Sequence, residues 1–195
     1  EGEVFTAQVL ATVQGLNERT VLRTLTRDLD DQHRLVRERG EVLVDDHYLS
    51  RFAFTHALFR EHLYQEMSSG EQRLLHGEIA AAIKACYGEQ QERILVDLAH
   101  HFHRAGRIPE AIAYSVQAGE QARTAYANDE ARKHFELALQ LMESTDPSEA
   151  QQRWRLKALS GLGKLCFAMG KVPEAERYLR GAVTVGRQMA LNPQD

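Results

Sequence analysis

The sequence predicts a mainly α protein: a small helix-and-hairpin domain over residues 1–67, then an irregular α-solenoid over residues 68–195. Three observations predict it. Strand-like alternation is confined to one stretch, "EVLVDDHYLSRFAF" at 41–54. From Thr55 onward apolar residues recur at helical spacing. The phrase "AGRIPEA" at 105–111 returns as "MGKVPEA" at 169–175, which marks an internal repeat.

In chain order, "EVFTAQVLAT" at 3–12 reads as a short helix. A "GLN" turn follows, and Asn17 is placed to cap the next helix. Val21, Leu22, Leu25, Leu29, Leu35 and Val36 then continue to Gly40. That length suits one bent helix or two short ones; the polar "DDQH" at 30–33 breaks the stripe and favours two. "EVLV" and "RFAF" form two strands, with Asp45 and Asp46 as the turn and Phe52 and Phe54 on one face. Helices followed by a two-stranded hairpin is the order of a winged helix.

"THALFREHLYQEM" returns to helical spacing, with Phe59, Leu63 and Met67 at i, i+4 and i+8. Ser68–Ser69–Gly70 break it. Further helices are expected near 71–87, 92–105, 109–125, 128–143, 148–169 and 172–190. Gly88 closes the first of these; Gly106 and Gly170 end others. Pro109 and Pro173 start the helices that follow, where a missing N–H costs least. Asp146–Pro147 opens another. "YANDEA" at 126–131 is a degenerate third copy of the repeat phrase, with Asn128 as its cap. Short connections make neighbouring helices antiparallel, and such pairs bury their apolar faces only by stacking on one another.

Composition bounds function. Hydrophobic residues make up 43% and charged residues 27% of 195, enough for a sizeable core. A net charge of −4 and pI near 6.2 give no electrostatic case for nucleic acid or an anionic membrane. No apolar run reaches the length of a membrane span. The chain opens at Glu1 without methionine and reads as a piece of a longer protein. Cys86 and Cys166 sit at apolar helical positions and read as buried reduced thiols, which fits a cytoplasmic location.

The repeats resemble tetratricopeptide repeats. Leu98, Ala99, Phe102, Gly106, Ala111 and Ala118 fall at that family's signature offsets. So do Leu159, Leu162, Gly163, Gly170, Ala175, Leu179 and Ala182. The spacing between small-residue positions is irregular: Ala111, Ala131 and Ala175 do not keep a fixed period. The order of winged helix then repeats is similar to that of bacterial STAND-class signalling ATPases of the maltose-activator kind. In that class a histidine–x–leucine–x–arginine–acidic pattern opens the helix after the wing; here it reads His56, Leu58, Arg60, Glu61. Plant and animal relatives carry an aspartate after the histidine, where this chain has Ala57.

The resemblance implies a small winged helix coupled to an upstream nucleotide-binding domain, and a tetratricopeptide-type solenoid that receives an effector protein, a peptide or a small inducer. It implies that His56 contacts ADP held by the upstream domain. ATP and ADP would belong to the intact protein, with no cofactor in this stretch. The alternative is a passive tetratricopeptide scaffold. Tyr114, Arg123, Tyr126 and His134 are the candidate groove residues, although the two tyrosines suit a core equally.

Other chemistry fits less well. His56 and His62 are six apart and fall on different helix faces, unlike the i, i+4 pair of H-E-x-x-H. His100, His101 and His103 cluster around Phe102 and read as part of a solenoid helix rather than a metal centre; they could titrate near pH 6.5 and tune a groove, though nothing in the sequence requires it. "GLGKL" at 161–165 imitates a phosphate loop but lies within a helix with no strand before it, and there is no G-x-S-x-G, so no catalytic residue is expected. The arginines at 23–39 are offset by Asp28, Asp30, Asp31 and Glu38, and an acidic wing tip opposes DNA.

Overall fold

The computed structural model describes residues 4–143 and 148–191, and is mainly helical with one small sheet. It divides into two compact units, Glu1–Arg107 and Ile108–Asp195.

The first unit begins with a strand where a helix was expected. Val4–Thr6 (β1) leads directly into the helix Ala7–Gln14 (α1). The cause is long-range. β1 pairs antiparallel with the strand His47–Phe54 (β3), so Phe5 faces Phe52, and its ring stacks on Phe52 at 6.2 Å. Strand Val36–Val44 (β2) pairs with the other edge of β3, giving the order β1-β3-β2.

Asn17 caps the helix Glu18–Arg23 (α2) as expected, accepting from the Arg19 N–H at 2.9 Å. The expected second short helix is absent. α2 instead runs on as a π-helical segment, Thr24–Gln32, and Val36, read as helical from the sequence, is the first residue of β2. Leu25 is buried, and Leu29 packs against the same cluster of Ala7, Ala11, Val21, Val36 and Phe52.

The hairpin turn is Asp45–Asp46. Both residues have positive φ (44° and 63°) between the pair Val44 and His47, which is a type I′ geometry. A bulge between Glu38 and Glu41 places Gly40 at φ 79°. The turn is tied down: Gln90 donates to Asp45 at 2.8 Å, and Arg93 donates to the Leu43 carbonyl at 3.0 Å. Gly88, at φ 48°, passes so close that a Cβ there would stand 2.7 Å from an Asp45 carboxylate oxygen. The acidic tip is thereby engaged within its own unit.

After β3 come the helices Ala57–Gln65 (α3) and Ser69–Tyr87 (α4). Ser68 and Glu71 form a capping box that starts α4, which packs on α1. The expected helix near 92–105 starts as a 3₁₀ turn, Gln91–Ile94, and continues as Leu95–Arg104 (α5). α5 lies on α4; Leu98, Ala99 and Phe102 of α5 and Ala80 and Ile83 of α4 are buried.

The second unit holds Ile108–Thr124 (α6), Asn128–Glu143 (α7), Glu149–Ala168 (α8) and Val172–Leu191 (α9), each within two residues of expectation. Asp146–Pro147 lies outside the described residues; Ser148 caps α8 through a capping box with Gln151. α6 packs with α7 and α8 with α9, while α8 also covers α6 and α7. Phe135 of α7 is the wedge. A Cβ at Gly119 of α6 or at Gly161 of α8 would stand 2.8 or 2.4 Å from its ring. The glycines of "GLGKL" therefore serve packing: Gly161 admits Phe135, and Gly163 admits Leu179 of α9.

The three copies of the repeat phrase share one helix-ending motif. The Arg107 N–H reaches back to the Phe102 carbonyl, Ala127 to Ala122, and Lys171 to Cys166, at 2.8–2.9 Å. The residue before each has positive φ: Gly106 at 74°, Gly170 at 73°, but Tyr126 at 60°. A tyrosine there carries a steric cost that glycine does not. Tyr126→Gly is expected to stabilise the second unit by about 1 kcal/mol in urea unfolding; a loss of stability would show that the ring contributes more than the backbone strain takes away.

Candidate functional site

β3 ends at Phe54, and Thr55 clamps the junction by donating from its hydroxyl to the Arg34 carbonyl at 2.6 Å. This fixes His56 at the N-terminus of α3, in extended backbone (φ −132°, ψ 120°). His56 is exposed and makes no side-chain capping bond; its ring leans on Phe59 at 6.1 Å.

α3 is unusual among the helices of this unit because none of its residues is buried. Leu58 is 77% exposed, Phe59 47% and Leu63 58%. Phe59 and Leu63 of the i, i+4 stripe seen in the sequence face outward. Sequence periodicity finds an apolar face but not what covers it. Three large apolar side chains on nine residues are more than scattered surface hydrophobics.

The polar end of α3 touches a network that sequence reasoning missed. The Tyr64 hydroxyl lies 2.9 Å from His76 Nε2 and accepts from Arg104 at 2.6 Å. His76 Nδ1 meets His101 Nδ1 at 2.8 Å, and the His100 ring packs edge-on against both. His76 and His101 are buried. Burial pushes the His76 pKa down to about 4, with His100 and Arg104 adding repulsion. Burial pushes His101 to about 2 and lowers His100 as well. The expected titration of the 100–103 cluster near the ordinary histidine value is therefore corrected for His100 and His101. No group of three or more His, Cys, Asp or Glu among the described residues is placed to hold a metal ion. The clue available in the sequence was the helical phase of His101, which shares the buried face with Leu98 and Phe102; its partner His76 is 25 residues away and had no local signal.

In the second unit the four candidate groove residues do not share one environment. Tyr114 is buried in the core of α6. Arg123 donates twice to Glu120 one turn earlier. His134 is half-buried, and that burial lowers its pKa. Tyr126 stands 88% exposed at the α6–α7 turn. A groove that was not foreseen runs along α9. It holds about 780 Å³ and is lined by Phe167, Val172, Leu179 and Val183, with Glu176, Arg180 and Arg187 at its edges. Register explains it: Leu179 occupies the position on α9 that Phe135 holds on α7. Phe135, covered by α8, is 1% exposed, and Leu179 is 39% exposed.

Deeper in the same unit, Arg132 of α7 reaches Glu174 of α9 at 3.2 Å and the Cys166 sulfur of α8 at 3.3 Å. Cys166 is buried and Cys86 half-buried, and no disulfide joins them. No described helix is long and apolar enough to cross a membrane.

Comparison with known proteins finds a relative without assigned function. The chain is 28% identical over 145 residues to an uncharacterized protein of Rhizobium meliloti strain 1021. The match covers 73% of this chain and 14% of that relative. No family model matches, and no solved structure matches.

Proposed function

We propose that this chain is a non-catalytic coupling and protein-interaction region of a multidomain signal-transduction ATPase. In this reading the first unit is a winged-helix-like coupler, and the helical repeats take an effector protein, a peptide or a small inducer. One observation carries it: α3 leaves Leu58, Phe59 and Leu63 exposed immediately after the uncapped, exposed His56. An apolar helix face beside an exposed imidazole suits contact with another domain and with a phosphate-bearing ligand held there. The resemblance at His56, Leu58, Arg60 and Glu61 makes that domain the upstream nucleotide-binding domain of the same polypeptide. The much greater length of the Rhizobium relative agrees with a chain that works as part of something larger.

His56→Ala in the intact polypeptide tests this. Loss of one hydrogen bond to a charged oxygen is worth about 1.5–3 kcal/mol, so ADP release is expected to quicken on the order of tenfold or more. Release at the wild-type rate would dismiss the sensor role of His56.

The groove on α9 favours a second reading, the passive scaffold. Leu179 and Val183 would then hold a partner helix with no consequence for nucleotide. The same ADP-release measurement separates the two, because a scaffold leaves it unchanged whatever occupies the repeats.

A further inference from the structure

α3 buries none of its residues, and a nine-residue helix is marginal in water on its own. Something other than apolar packing must keep it in place. Its polar ties converge on one residue. Tyr64 takes a hydrogen bond from Arg104 of α5 and shares one with His76 of α4. Its carbonyl accepts from Gln72 at 2.9 Å, and Arg104 lies over its ring at 5.8 Å. Beyond His76 the chain of contacts continues to the buried His101.

We propose that Tyr64 is the latch that holds α3 on the α4–α5 hairpin, and that Arg104, Tyr64, His76 and His101 form one directed hydrogen-bond chain carrying the position of α3 into that hairpin's core. The direction follows from donor inventory. A guanidinium only donates, so the phenol oxygen accepts from Arg104 and gives its proton to His76 Nε2. His76 then carries its ring proton on Nδ1 and donates it to His101 Nδ1, which leaves the His101 proton on Nε2. The Tyr64 hydroxyl and both nitrogens of His76 are engaged in one arrangement, and only while α3 is docked. Undocking removes the donor to His76 Nε2 and frees that ring to change tautomer. The chain runs from the exposed Arg104 through the half-buried Tyr64 to the buried His76 and His101, so the state of its inner end follows the position of α3.

This deepens the coupling reading and rests on it only for its purpose. The latch is tested on this chain alone, without nucleotide, so the two fail separately.

The experiment is hydrogen exchange on the chain, paired with imidazole ¹⁵N spectra. In the wild type, α3 amides are expected to show measurable protection, and His76 to be the Nδ1–H tautomer. Tyr64→Phe keeps the ring and removes the hydroxyl. It is expected to speed exchange across α3 about tenfold or more while amides of α6–α9 keep their rates, and to mix the His76 tautomers. Arg104→Gln, which weakens the chain from its other end, is expected to shift both readouts in the same direction. Unchanged α3 exchange in Tyr64→Phe would overturn the proposal. So would unprotected α3 amides in the wild type, or a His76 tautomer indifferent to Tyr64.

Discussion

Phe135→Ala is expected to destabilise the second unit by about 3–5 kcal/mol, the largest effect of any single substitution considered. The ring is 1% exposed and fills the space between two glycines, Gly119 on α6 and Gly161 on α8. Truncation leaves a void lined by backbone on two sides. Backbone of intact helices cannot collapse inward to fill it, so the cavity term persists beside the lost burial. Urea unfolding followed at Trp154, which lies on α8, reads this unit directly. A loss below about 1 kcal/mol would mean that the α6–α7–α8 contact is not the keystone described. Gly161→Leu approaches the same site from the other side. Its side chain would collide with the Phe135 ring, and overpacking of this kind also destabilises.

Acidification from neutral pH is expected to weaken the first unit. The folded-state pKa of His76 is about 4, and the unfolded value is near 6.5. The folded state therefore binds fewer protons than the unfolded state between these values. The stability due to neutral His76 is fully present above pH 6.5 and is lost as pH falls toward 4. The full difference is about 3 kcal/mol, of which about 2 is gone by pH 5. His101, depressed further by burial, acts in the same direction. The groups facing the pair are Tyr64 from α3, and His100 and Arg104 from α5; Asp97 and His103 act on His100. Asp97 alone favours the charged form of His100; Arg104 and His103 oppose it. In the same unit, hydrogen bonds from Ser68 hold the Glu71 carboxyl below the usual carboxylate range. Urea unfolding at pH 7.5 and pH 5 measures the loss, and His76→Gln is expected to remove about half of it. An equal loss in both proteins would assign the acid sensitivity elsewhere.

What the sequence made legible was local. Gly106, Gly170, Pro109 and Pro173 punctuated the helices, because a positive φ and a missing N–H are properties of single residues. The turn at Asp45–Asp46 and the cap at Asn17 followed from the same kind of chemistry. The alternation in "RFAF" placed Phe52 and Phe54 on one face, and Phe5 packs against both rings. Where local signals misled, a distant partner had decided the outcome. "VFT" at 4–6 reads as helix until β3 offers it an edge to pair with. Val36 reads as the end of an apolar stripe until the same sheet claims it.

The candidate site divides in the same way. His56 was visible as a lone histidine at a strand-to-helix junction, and the structure places it there, exposed. Tyr126 carried no signal of its backbone geometry, since nothing in its identity announces a positive φ. Tyr114 is the same residue type as Tyr126 yet is buried, and the charged Arg123 is paired within its own helix.

The sequence by itself determined the number, order and ends of the α6–α9 helices and the presence of a hairpin, because periodicity, caps and turns act over a few residues. Only the tertiary structure decided that α3 shows its apolar face to solvent, that Gly161 admits Phe135, and that His76 meets His101. Each of these depends on which surfaces come together across tens of residues, where burial and hydrogen-bond satisfaction, not propensity, set the free energy.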